Sequence, residues 1–133
     1  MRAALLVALL ALATSGCATT GTIRTASDDA GTARTFAGEY DRVLTAAREA
    51  VVESGFAIEE TKQLNDSSWY ILGKKGMSFA SYGELVRVTV QRAGASEASV
   101  RVYTQKRVKT NVFAKGDYSK DIFSSIEFKL RKT

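Results

Sequence analysis

The sequence predicts an α+β domain of two layers: an antiparallel meander sheet of four to five strands covered by two helices. Three observations predict it. Four consecutive runs are strand-like, mostly alternating apolar with polar residues, and short polar turns join them, as in neighbouring antiparallel strands. Apolar residues at helical spacing flank that block on both sides. All of this lies within residues 32–133, the size of one domain.

The expected order is (β)-α-β-β-β-β-α. Thr32 to Phe36 can form a short first strand. Tyr40, Val43, Leu44, Ala47 and Val51 then recur at helical spacing over Glu39 to Ser54. Glu39 and Asp41 fall in the first turn, where carboxylates favour the helix dipole. Gly55 follows as a left-handed cap. Phe56 to Lys62 alternates through Phe56 and Ile58, and Asn65-Asp66-Ser67 supplies a turn. Trp69 to Lys74 is aromatic and β-branched; Trp69 and Tyr70 face opposite sides, so one of them must be core. Leu85 to Arg92 puts Val86, Val88 and Val90 on one face and Arg87, Thr89 and Gln91 on the other. After a hairpin loop at Ala93-Gly94-Ala95-Ser96, Ser99 to Arg107 puts Val100 and Val102 inward, with Arg101, Tyr103, Gln105 and Arg107 outward. A last helix from about Tyr118 carries Tyr118, Ile122, Phe123, Ile126 and Leu130 on one stripe, with Asp117 as its cap. The two helices must cover the apolar face of the sheet.

The chain opens differently. Met1-Arg2 precedes an apolar run from Ala3 to Ala13, about 16 Å long as a helix at ~1.5 Å per residue. A bilayer core is about 30 Å thick, so the run is too short to span it. A charged start, a short apolar stretch and then Thr14-Ser15-Gly16 describe a secretory signal over residues 1–16. Ser15, Gly16 and Cys17 resemble the last three positions of the lipobox of bacterial lipoproteins; Thr14 stands where leucine is usual. The resemblance implies a cut before Cys17 and lipid on its sulfur. It also implies a place in the cell envelope: the outer membrane, facing the periplasm, where the organism has two membranes and Ala18 is not aspartate. The chemistry fits. A thiolate needs unhindered backbone beside it to form a thioether at the membrane face, and Cys17 is the only cysteine. Two or three acyl chains make a stable anchor, at ~0.8 kcal/mol per buried methylene.

Residues 17–31, beginning with the lipidated cysteine, consist largely of small and hydroxyl side chains without apolar periodicity, and are expected to be a flexible tether. Such a tether would hold the domain about 20 Å from the lipid at roughly 5–6 Å × √n.

A second resemblance lies in the domain. Tyr40-Asp41-Arg42-Val43, Ala46-Ala47, Gly55-Phe56-Ala57-Ile58 and Ile71-Leu72-Gly73 resemble a pattern in small envelope lipoproteins. The globular domains of BamC, from the outer-membrane barrel-assembly machine, carry a similar run. Ser68-Trp69 stands where that pattern commonly has glycine before its third strand. The resemblance covers roughly residues 34 to 75, implies a compact sheet-and-helix domain and brings no catalytic residue with it.

Composition argues against an enzyme. There is no histidine, and the one cysteine is assigned to the anchor. Zinc and copper sites and Ser-His-Asp or Cys-His nucleophiles therefore lack their usual parts, and neither a metal nor a dissociable cofactor is expected. Glu59-Glu60 are neighbours on a strand and should point to opposite faces. Asp28-Asp29 fall in the tether, and the glycines at 73, 76 and 83 lack the strand-to-helix setting of a phosphate loop. Without Arg2, eighteen basic residues oppose fourteen acidic ones, a net charge of +4. Residues 100–133 hold nine basic and three acidic side chains, whereas residues 39–60 hold two and six.

The expected working surface is the basic sheet face with the loop from Gly73 to Gly83. It comprises Arg87, Arg101, Tyr103 and Arg107 from the strands, with Lys74, Lys75, Phe79 and Tyr82 from the loop. Outside the cytoplasm such a surface fits an acidic envelope protein, an anionic lipid headgroup or a cell-wall polymer rather than nucleic acid. A carrier of a small apolar or lipid ligand is the alternative, and would need an unfilled apolar pocket.

Overall fold

The structure, a computed structural model, describes residues 20–76, 83–106 and 115–132. Its elements are α1 (Thr20–Arg24), β1 (Thr32–Ala37), α2 (Tyr40–Glu53), β2 (Ala57–Asn65), β3 (Ser68–Lys75), β4 (Glu84–Gly94), β5 (Glu97–Lys106) and α3 (Ser119–Arg131). The sheet is antiparallel throughout, in the order β1-β5-β4-β3-β2. The α+β expectation is met. Strands β2 to β5 form the meander, and β1 joins at the edge beside β5, so α2 carries the chain from one edge of the sheet to the other.

On the front face, Ile71, Val86, Val88, Val90, Ala98, Val100 and Val102 meet both long helices. Helix α2 presents Val43, Ala46, Ala47, Ala50 and Val51; α3 presents Ile122, Phe123 and Ile126. The alanines let α2 lie close over the valine rows. Close packing also explains Gly73, where a Cβ would stand 2.9 Å from both Phe56 Cβ and Val86 Cγ1. The expected Gly55 cap forms, whereas the N-cap of α3 is Tyr118, without a side-chain cap bond, and Asp117 lies one residue before it. Gly55 closes α2 at φ +92° while Phe56 N–H donates to Val51 O, and Asp117 Oδ1 accepts from Ser119 N–H. The helices that sequence separates by charge lie side by side, and Lys129 Nζ bridges Glu49 and Glu53 at 3.1 and 2.6 Å. Part of the charge asymmetry is thereby consumed within the fold.

The tether expectation is corrected for residues 20–31. Helix α1 lies on the back of the sheet, and Ile23, only 1% exposed, fills a second small core with Tyr70, Leu72, Leu85 and Tyr103. Burying an isoleucine contributes about 1.5–3 kcal/mol, enough to order a short segment when polar contacts assist. The segment then turns at Gly31 into β1. At φ +87°, Gly31 would place a Cβ 2.1 Å from Val102 O, so no other residue fits this close approach. Trp69 and Tyr70 both find cores, Trp69 against the front cluster and Tyr70 in the back one.

Several boundaries differ from expectation: the 93–96 hairpin loop narrows to residues 95–96, because β4 runs to Gly94 and β5 begins at Glu97. The loop expected from Gly73 begins later, because β3 runs through Lys75 with Lys74 paired to Leu85 and Lys75 to Glu84. Strand β2 extends to Asn65, with register shifts between Ile58 and Glu60 and between Gln63 and Asn65. Bulges of this kind blunt an edge strand that could otherwise pair with another chain.

Candidate functional site: a polar cleft on the back of the sheet

Alternation puts Leu85, Arg87, Thr89 and Gln91 of β4 beside Tyr103, Arg101 and Ser99 of β5 on the back face. Toward the β3 end of this face Ser68 and Tyr70 continue the floor. The 20–31 segment rises along one side and the β2–β3 turn along the other. Between them is an open cleft of about 290 Å³ lined by Arg24, Asp28, Leu64 and Asn65 at the rim and by Ser68, Tyr70, Arg87, Thr89, Gln91, Ser99 and Arg101 below. It holds three arginines and a floor of hydroxyl and amide groups.

Each arginine is fixed by a different partner. Arg87 is buried, at 6% exposure. Its Nη1 donates to the carbonyls of Ile23 and Ala26 at 3.2 and 2.8 Å, and its Nη2 to Ser27 O at 2.7 Å. The guanidinium thus gathers carbonyls from the end of α1 and the turn after it, where a cation also suits the helix dipole. Arg24 donates through Nε and Nη2 to Glu60 Oε2 at 3.2 and 2.6 Å. The other oxygen of that carboxylate accepts from the Tyr70 hydroxyl at 2.8 Å. Tyr70 and then Arg24 hold the Glu60 carboxyl below its ordinary range. Burial and then Glu60 push the Tyr70 hydroxyl up. Arg101 Nη1 donates to Asp29 O at 2.9 Å and Gly31 O at 3.4 Å, and among the described residues Nε and Nη2 are left for an incoming group.

The expected binding residues divide accordingly. Arg87 and Arg101 come together on one face, as alternation required. Arg87, expected on the outward working surface, is instead buried there, and its counterpart is the chain's own backbone. Tyr103 is half-buried against Ile23, with the Arg87 guanidinium 5.8 Å from its ring centroid. Lys74 stands 4.0 Å from Glu59 at the far end of the same face. The placing of Lys75 in an exposed loop is corrected as well: it is the last residue of β3. Lys75 points to the front, donates to the Tyr118 hydroxyl at 2.7 Å and lies 4.8 Å from the Phe56 ring. Tyr118 in turn donates to Glu84 Oε1 at 3.0 Å, while Glu84 Oε2 accepts from Gly116 N–H. Burial and then the Glu84 carboxylate push the Tyr118 hydroxyl up to about 12. Cys17, Phe79, Tyr82 and Arg107 lie outside the described residues.

Glu59 and Glu60 straddle the first bulge and take different partners, Lys74 and the Arg24–Tyr70 pair. Among the described residues no group of three His, Cys, Asp or Glu side chains stands ready to hold a metal, and no helix is long and apolar enough to cross a membrane. A shallower groove of about 390 Å³ between α2 and α3 is lined by Asp41, Arg42, Thr45, Glu49, Lys129 and their neighbours.

Sequence reasoning missed Arg24, Asp28, Asn65, Ser68 and Ser99 as cleft residues. The signal for the first two was Ile23, the one large apolar side chain in the supposed tether. No family model matches this chain, and no curated protein is significantly similar to it.

Proposed function

We propose that this chain is a bacterial envelope lipoprotein, anchored by lipid on Cys17, whose domain is a non-catalytic binding or structural module. It engages an anionic envelope component through the arginine cleft. The observation that carries the binding role is the cleft itself: the half-exposed Arg101 beside a hydroxyl- and amide-lined floor, with Arg24 at the rim and Arg87 buried beneath as a fixed positive charge. Arginine forks match carboxylate and phosphate oxygens, and Arg101 keeps donors for that purpose. The anchor is supported by the apolar run and Ser15-Gly16-Cys17. Where two membranes are present, the site of action is the periplasmic side of the outer one. A binding role is favoured over catalysis by a side-chain inventory without histidine and with its one thiol assigned to lipid. Both clefts are open and edged by charged groups, a lining that favours a polar partner over an apolar ligand.

Two experiments test this. Intact-mass analysis of protein purified from membranes should give a chain that begins at Cys17 and carries acyl groups; an unmodified thiol with the signal retained would falsify the anchor. Co-sedimentation of the detergent-solubilised lipoprotein with cell-wall sacculi, anionic vesicles and immobilised acidic peptides should find binding to one of them. That binding should weaken with salt and fall at least tenfold in Arg101→Glu. Capture unaffected by either change returns the face to an ordinary solvated surface.

A further inference from the structure

We propose that the docked 20–31 segment turns one end of the sheet, formed by the start of β4 and the ends of β3 and β5, toward an anionic bilayer and holds the arginine cleft above it. The inference rests on lipidation of Cys17 as proposed above.

Helix α1 crosses the back face close to that end. Thr22 Oγ1 meets Gln105 Oε1 at 3.3 Å, one residue before the end of β5, and Ile23 packs on Leu85, the second residue of β4. Arg24 reaches Glu60 on β2. Cys17 lies only three residues before Thr20, a reach of at most about 11 Å at ~3.3–3.6 Å per residue. The lipidated sulfur therefore cannot stray far from this end of the sheet. From Gln105 to Ser99 on the cleft floor is six residues, about 20 Å along a strand. A seated strap thus replaces a loose leash with a short, fixed offset.

Charge selects between lying on the end and lying on the back face. The strap carries Asp28 and Asp29 outward, both exposed, and a back-down pose would press them against lipid phosphates. The end of the sheet instead presents Lys74, Lys106 and Lys115, with Glu59 near Lys74, Asp121 in contact with Lys115 and the exposed Asp117 beside them. Lysines near an anionic surface are attracted within a Debye length, and carboxylates are repelled.

The test uses the full lipoprotein in vesicles containing phosphatidylglycerol and a nitroxide-labelled headgroup lipid. With Cys17 acylated, a single introduced cysteine is the only free thiol, so Lys74→Cys and Asp66→Cys can each carry one fluorophore at opposite ends of the sheet. The label at position 74 should be quenched several-fold more than that at 66. Inserting about twelve Gly/Ser residues after Ala18 leaves the domain untouched and should erase the difference. Equal quenching at both sites, stronger quenching at 66, or a contrast that survives the insertion would overturn the orientation. A mass spectrum without acyl groups overturns the anchor and the orientation together; acylated protein with equal quenching overturns the orientation alone.

Discussion

On the front of the sheet Val86, Val88 and Val90 meet the alanines of α2 and the isoleucines of α3. On the back, the residues between them, Leu85, Arg87 and Thr89, face a five-residue helix and an open cleft. The same strand serves both. Front-face cohesion comes from area removed from water; back-face cohesion comes from one buried isoleucine and a guanidinium shared among backbone carbonyls. A surface of the first kind is satisfied once folded. The second kind keeps hydrogen-bonding capacity at its margin, which is where a partner can bind.

Substitutions on the two faces should differ in size and in extent. Ile122→Ala removes a fully buried side chain from the front core and should cost about 2–5 kcal/mol in urea unfolding. Gly73→Ala forces a methyl group between Phe56 and Val86 and should cost about 1–3 kcal/mol. Both should loosen the whole domain. Arg87→Lys should cost about 1–3 kcal/mol, because an ammonium cannot span the carbonyls of Ile23, Ala26 and Ser27 as the fork does. Its signature is local: hydrogen exchange should quicken in residues 20–31 while the amides of β4 and β5 stay protected. Global loosening by Arg87→Lys would mean the two faces are not separable.

That separation also accounts for what could be read from the sequence. The front face was legible because valines at alternate positions and a helical stripe each obey one short-range period. Both helices, the cap at Gly55 and the pairing of the last four strands follow from such local signals. The back face was half legible. Alternation places Arg87 with Arg101, yet nothing local to either residue tells that Arg87 is buried with its guanidinium on backbone carbonyls while Arg101 donates through one nitrogen and stays half-exposed. That depends on Ile23, about 60 residues away, finding a pocket made by Tyr70, Leu72, Leu85 and Tyr103. A five-residue helix has no periodicity to detect, and small polar residues around it resemble a disordered linker. Lys75 eluded prediction for a related reason: its register is local, but Tyr118 and Glu84 come from distant elements.

The smallest effects should come from acid. Lys129 and then Ser125 hold the Glu53 carboxyl below its ordinary range on the helix side, as Tyr70 and Arg24 do for Glu60 on the cleft side. A carboxyl lowered in the folded state adds stability that is present above its ordinary pKa, about 4.3 for glutamate, and lost as pH falls through the lowered value. Glu53 is exposed and Glu60 half-buried at the surface, so solvent screening keeps the loss modest. A melting series below pH 5 should show Glu53→Gln and Glu60→Gln each flattening part of the acid dependence, with Glu60→Gln acting through Tyr70 and the Arg24 of the strap.

The working role of the back face is tested most directly by mapping backbone amide shifts of the detergent-solubilised lipoprotein during titration with whichever anionic component co-sediments. Changes should concentrate at Thr89, Gln91, Ser99 and Arg101 and vanish in Arg101→Glu. Changes confined to the α2–α3 groove at Arg42, Thr45 and Lys129, with the cleft silent, would contradict it.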